Sequence, residues 1–134
     1  MEFNTSEASQ IRIENEKDLH YKVIAFIRKY HPETIIVPGL GENQKTTAMR
    51  FDSKLKGYTS GTPDISILNH HVQFKGLAIE LKTPTGKGVV SENQATFLDA
   101  LQENGFKIII SNNCEEVIIQ LYEYFKGFVQ MQID

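Results

Sequence analysis

Asp64, preceded by Pro63, and then Glu80-Leu81-Lys82 sixteen residues further on supply two carboxylates and a lysine, the groups that metal-assisted phosphodiester chemistry requires. Leu77, Ile79 and Leu81 alternate with Ala78, Glu80 and Lys82, the period of a strand, so Glu80 and Lys82 share one face and the apolar set the other. Ile65 and Ile67 alternate likewise with Asp64 and Ser66. Asn69 to Gly76 is short enough to make the two runs an antiparallel pair, which sets Asp64 beside Glu80. Two carboxylates so close repel in a partly desolvated cleft unless a hard divalent cation neutralises them through oxygen ligands. Magnesium is the expected ion, with manganese as its substitute. It would polarise a phosphate and acidify a bound water, while Lys82 offers a point charge to the water or to the phosphate. The same residues also fit an exposed Glu-x-Lys strand and an ordinary Pro-Asp turn, and the short motif alone does not separate the two.

The elements around these residues can be read in order. Glu14 to Tyr30 reads as a helix with the apolar stripe Leu19, Val23, Phe26, Ile27 and Tyr30; carried back one turn, the stripe meets Glu16, whose carboxylate is expected to face the core or a cleft. Favouring the helix dipole from the first turn is its other use. Thr34 to Val37 reads as a short strand, Pro38 to Gln44 as a glycine-bearing loop, and Thr46 to Lys56 as a polar segment that can be helical. Thr83-Pro84-Thr85-Gly86-Lys87-Gly88 is turn chemistry and predicts a mobile loop beside the site. Ser91 opens a helix with Phe97, Leu98 and Leu101 as its apolar positions, Gly105 stops it, and Lys107 to Ile110 reads as a buried strand. Asn112 or Asn113 caps a last helix, with Glu115 and Glu116 in its first turn and Val117, Ile118, Leu121 and Phe125 inward.

The order is helix, three strands, helix, strand, helix. With Pro63-Asp64 and Glu80-Leu81-Lys82 in place, the chain resembles the PD-(D/E)xK nuclease superfamily, and more narrowly a stand-alone VRR-NUC domain. The residues that carry the likeness are Glu16, Leu19 and His20, then Gly61-Thr62-Pro63-Asp64-Ile65, Ile79-Glu80-Leu81-Lys82-Thr83, Ser91-x-x-Gln94, Phe97-Leu98 and Gly105-Phe106. The resemblance implies an α/β fold with a restriction-endonuclease-like core, a mixed central sheet flanked by helices in the order α-β-β-β-α-β-α. It implies one domain over residues 1–134, with its core at about 14–125. It also implies that Asp64, Glu80 and the backbone carbonyl of Leu81 hold the metal, that Lys82 is catalytic, and that Glu16 completes the acidic site. Gln94 has two readings of equal weight, a site residue and the reciprocal partner of a Ser91 capping box. The chain departs from the family where an arginine commonly precedes Gly57-x-x-x-Gly61-x-Pro63-Asp64: Asp52 stands there, with Arg50 and Lys54 around it. The activity implied is Mg²⁺-dependent cleavage of DNA, selective for branched substrates such as Holliday junctions, by a homodimer in replication, recombination or repair. The tail residues Phe128, Val129, Met131 and Ile133 could serve that dimer or pack on their own domain.

A net charge of −3 argues against a surface coated in cations, yet Gln44 to Gly61 holds Lys45, Arg50, Lys54 and Lys56 against Asp52 alone and leads directly into Asp64. Arg50, Lys54, Lys56 and the loop residue Lys87 are the expected DNA contacts; a solvated polar loop is the alternative. The single Cys114 excludes an internal disulfide and reads as inert, and His70-His71 reads as a solvated turn. No run has the length of a membrane span or the form of a signal peptide, so the expected location is the cytoplasm of a bacterium or phage-infected host, without membrane attachment or secretion. Two other function classes compete. Gly39 and Gln44-Lys45-Thr46 miss the phosphate-binding P-loop by one glycine, which would make the chain a nucleotide binder. A non-catalytic DNA-binding or assembly module on the same fold is the other, and Glu16, Asp64, Glu80 and Lys82 are all intact against it.

Overall fold

The computed structural model describes residues 13–39, 46–85 and 89–129. Eight elements run along the chain: α1 (Glu16–Tyr30), β1 (Ile36–Pro38), α2 (Thr47–Leu55), β2 (Ile65–Ile67), β3 (Gly76–Leu81), α3 (Glu92–Glu103), β4 (Phe106–Ser111) and α4 (Cys114–Phe125). The strands form one mixed sheet in the order β1-β2-β3-β4. β1 pairs antiparallel with β2 and β2 with β3, in the register Ile65 to Ile79, while β3 and β4 run parallel with Ile79 opposite Ile109. A parallel pair needs a crossover, and α3 supplies it.

Alternation in β2 and β3 decides the layers. Ile65, Ile67, Leu77, Ile79 and Leu81 point to one face, where Leu19, Val23, Phe26 and Ile27 of α1 and Val117, Leu121 and Phe125 of α4 close over them. Both helices are fixed at their starts: Asn15 accepts a hydrogen bond from Asp18 N at 2.9 Å, and Asn113 from Glu116 N at 3.0 Å. The opposite face carries Ala78 and Glu80 and is covered by α3, of which only Leu98 is buried; Phe97 and Leu101 are half-exposed.

Several sequence expectations need correction. The first helix begins at Glu16 rather than Glu14, because Asn15 takes the cap, and the first strand starts two residues later and ends one later than expected, at Ile36–Pro38. Thr46 to Lys56, read as a polar segment that can be helical, does hold a helix, Thr47–Leu55, between the first two strands. The strand read as buried is an edge strand enclosed on one face only: Ile109, opposite Ile79, is buried toward α1 and α4, whereas Ile110, opposite Glu80 on the α3 side, is 45 % exposed. His71 is no solvated turn. Its ring stacks on Tyr124 at 4.1 Å, Nδ1 accepts from Gln73 N and Phe74 N, and Nε2 therefore carries the proton donated to Tyr124 O at 2.9 Å. Gly127 makes this possible, since a Cβ there would lie 2.3 Å from Nε2. A histidine next to an exposed neighbour gives no sequence signal for such stacking. Phe128 packs on Phe125 at 4.9 Å and so serves its own domain, whereas Met131 and Ile133 lie outside the described residues. Lys87, and Gln44-Lys45 of the P-loop-like stretch, lie outside them too.

Candidate active site

Asp64 sits one step beyond the Ile65–Ile79 pair, and its Oδ2 accepts a hydrogen bond from Leu81 N at 2.7 Å. Its backbone is also fastened, with Asp64 O accepting from Gly39 N at 3.0 Å. The Pro63-Asp64 turn is held in turn by Gly61, at φ +89°, whose backbone approaches that of Asn93 so closely that a Cβ would lie 2.5 Å from Asn93 O. Only glycine meets both demands. The turn before β2 is thereby locked onto the start of α3.

Glu80 is 1 % exposed. Its Oε1 accepts from Gln94 Nε2 at 2.7 Å and from Lys82 Nζ at 3.2 Å, while Oε2 is buried with no hydrogen-bond partner. Burial first, and then the Asp64 carboxylate beside it, push the Glu80 carboxyl up to about 7; Lys82 opposes this but does not cancel it. Lys82 Nζ also donates to Gln94 Oε1 at 3.0 Å.

Gln94 closes the capping box and also lies against Glu80 and Lys82, so the geometry is compatible with both readings of it. Its Oε1 accepts from Ser91 N at 2.9 Å and Ser91 Oγ accepts from Gln94 N at 3.2 Å, a complete capping box, while the same side chain bridges Glu80 and Lys82. The first turn of α3 is thus part of the site.

Glu16 is exposed rather than turned into the core, because it is the first residue of its helix; its Oε1 accepts at 3.2 Å from Oγ1 of Thr83, the residue after Lys82, which keeps it at the rim. Among the described residues no group of three or more Asp, Glu, His or Cys side chains could hold a metal ion, so the side-chain donors brought together are Asp64 and Glu80. The residues fit a hard cation nonetheless: a buried carboxylate oxygen without a partner, and a carboxyl pushed up by burial and then by the second carboxylate beside it, are what a divalent ion would relieve. Arg50, Lys54 and Lys56 all lie on or just after α2, exposed, with Lys56 paired to Asp52 at 2.8 Å. Cys114 is buried, and burial pushes its thiol up, away from nucleophilic use. No helix among the described residues is long and apolar enough to cross a membrane.

A mixed sheet flanked by helices, with an aspartate at the entry of one strand and Glu-x-Lys at the exit of the next, defines a restriction-endonuclease-like α/β domain. The VRR-NUC domain family model matches residues 5–112, and the chain belongs to that nuclease-type family. Among solved structures, a VRR_NUC domain protein superposes with a TM-score of 0.67, covering 90 % of this chain and 100 % of that one at 19 % identity, which speaks for the shared fold. No curated protein matches the chain.

Proposed function

We propose that this protein is a Mg²⁺-dependent DNA endonuclease, with Mn²⁺ able to substitute, that hydrolyses phosphodiester bonds in branched DNA and works as a homodimer. The observation that carries the reading is the Asp64–Glu80–Lys82–Gln94 cluster: two adjacent carboxylates, one with a buried and unpartnered oxygen, beside a lysine fixed by two hydrogen bonds. Asp64 and Glu80, with the Leu81 carbonyl, would hold the ion. When bound, the ion supplies Lewis-acid polarisation of the phosphate and acidification of a water.

The chain's own residues have separable tasks. Leu81 N orients Asp64 through its bond to Oδ2. Gln94 Nε2 orients Glu80, and Gln94 Oε1 shares in fixing the Lys82 ammonium. An ammonium has three donors, and the bonds to Glu80 and Gln94 engage two of them. The third would reach the attacking water or a phosphoryl oxygen, where a fixed positive charge favours the transition state. Glu16, at the rim with Thr83, would add negative charge to the edge of the site rather than a direct ligand.

The test is a panel of end-labelled linear, flap, fork and four-way junction DNAs, incubated with Mg²⁺, Mn²⁺ or EDTA. Cutting is expected only with metal and foremost on branched substrates. Asp64→Asn, Glu80→Gln and Lys82→Ala should each lower it by roughly 100-fold or more, the scale for removing one fixed group that stabilises transition-state charge. Undiminished cutting by Lys82→Ala would overturn the assignment.

A further inference from the structure

None of the residues of α2 is buried, although three of its nine are large and apolar. Phe51 is 65 % exposed, Leu55 72 % and Met49 44 %. Ala48, Phe51 and Leu55 fall at i, i+3 and i+7, one stripe along the helix, and Arg50 and Lys54 at i and i+4 form the stripe beside it. An isolated helix of this length is marginal in water, so its structure answers to something it docks against.

Charge selects the partner. The chain as a whole has 14 Lys and Arg against 17 Asp and Glu, whereas residues 46–61 hold Arg50, Lys54 and Lys56 against Asp52, and Asp52 is engaged with Lys56. A second copy packed with its two-fold axis through α2 would set one basic stripe against another, while a polyanion with exposed apolar faces complements both stripes together. Position points the same way. Ser60, five residues after Leu55, accepts a hydrogen bond from Asn93 Nδ2 at 3.2 Å, and Gly61 packs on the backbone of Asn93 and Gln94. Five residues span at most roughly 18 Å, so α2 is tied within that reach of the helix turn that carries Gln94.

We infer that α2 is a branch-reading wedge: Arg50 and Lys54 lie along phosphates while Phe51 and Leu55 stack on the base pair left uncovered where a duplex is interrupted. This deepens the endonuclease reading and rests on it for the substrate. Intact duplex offers no such face, since its base pairs are stacked on both sides; a junction, flap or end does. Wedge and active site would then lie within about one helical turn of duplex of each other, so cutting should fall within roughly ten base pairs of the branch.

The experiment measures binding of the full-length protein, with Ca²⁺ replacing Mg²⁺, to a four-way junction and to linear duplex of the same sequence content, for the wild type, Phe51→Ala/Leu55→Ala and Lys54→Gln. Alanine preserves helix propensity, and circular dichroism checks that the double variant is folded. The wild type should prefer the junction. The double variant should lose at least roughly fivefold of that preference through weaker junction binding, with duplex affinity unchanged. Lys54→Gln should weaken both DNAs alike and flatten the salt dependence. An unchanged preference in the double variant, or a wild type with none, overturns the inference. So does light scattering that shows the double variant dissociating a wild-type dimer, which would assign the stripe to a second copy. Loss of preference in a protein that nonetheless cuts no DNA would sink the nuclease reading and leave the wedge standing.

Discussion

The two faces of the central sheet are built on opposite terms. Toward α1 and α4, Ile65, Ile67, Leu77, Ile79 and Leu81 meet Leu19, Val23, Phe26, Val117 and Leu121, all fully or almost fully enclosed. Toward α3, the same two strands present Ala78 and Glu80, and the only buried apolar residue of the covering helix is Leu98. One face lowers the free energy by removing apolar surface from water; the other holds a carboxylate in a place that favours its neutral form. The candidate site lies on the face where burial is costly, and the other face supplies the stability that tolerates it.

The largest effect that tests this division is a paired substitution. Leu121→Ala on the apolar face should cost about 2–5 kcal/mol of unfolding free energy, much of what a domain of this size possesses. Glu80→Gln, equally buried on the other face, should leave the metal-free protein as stable or more stable while abolishing cutting. Denaturant titrations of both variants are the check, and a comparable loss in Glu80→Gln would erase the distinction between the faces.

A pH series sharpens it. Because the Glu80 carboxyl is raised from 4.5 to about 7, the native state binds more protons than the unfolded chain between those values. Stability therefore falls as pH rises through that window: below it the group is neutral in both states, and above it the full cost of ionising a buried carboxylate is present. In EDTA the unfolding free energy of the wild type relative to Glu80→Gln, from denaturant titrations, should drop between pH 4.5 and 7, by an amount on the order of 3 kcal/mol at most. A pH-independent difference would mean that Glu80 ionises without penalty.

Smaller still is the metal response. Asp64→Asn keeps an oxygen that can accept from Leu81 N but removes the charge facing Glu80, so the metal-free melting temperature should stay or rise. Added Mg²⁺ should raise the wild-type melting temperature by mass action and the variant's much less. Equal shifts would exclude Asp64 as a ligand. The least effect is expected from Ser91→Ala, which removes a cap worth about 1 kcal/mol and should lower cutting only modestly, whereas Gln94→Ala should lower it strongly. Equal losses in the two would reduce Gln94 to a cap.

Most of the division between faces was legible in the alternation of Leu77 to Lys82 and Ile65 to Ile67, because a strand converts sequence parity directly into sidedness. The side-by-side placement of Asp64 and Glu80 followed from the short Asn69–Gly76 connection, and the Asn113 and Ser91 caps from local chemistry. What escaped depended on distant partners. His71 needs Tyr124 and Gly127, more than fifty residues away, to become a buried ring, and the exposure of Ile110 depends on how little of its face α3 covers, which composition cannot reveal. Glu16 extrapolated from the apolar stripe fell short because the helix starts there and its first side chain is not enclosed by a preceding turn.

Because Gln94 closes the capping box and clasps both Glu80 and Lys82, the proposed catalytic arrangement would inherit the lifetime of a helix end. Helix ends fray, and each time the first turn of α3 unwinds, Lys82 and Glu80 lose the amide that aligns them. Assembly and disassembly of the site are then one local opening event, with the exchange rate of the Gln94 backbone amide as its clock. Substrate that bridges the Asp64 turn and the start of α3 would slow that clock, which is how the proposed nuclease could distinguish an engaged state from an idle one.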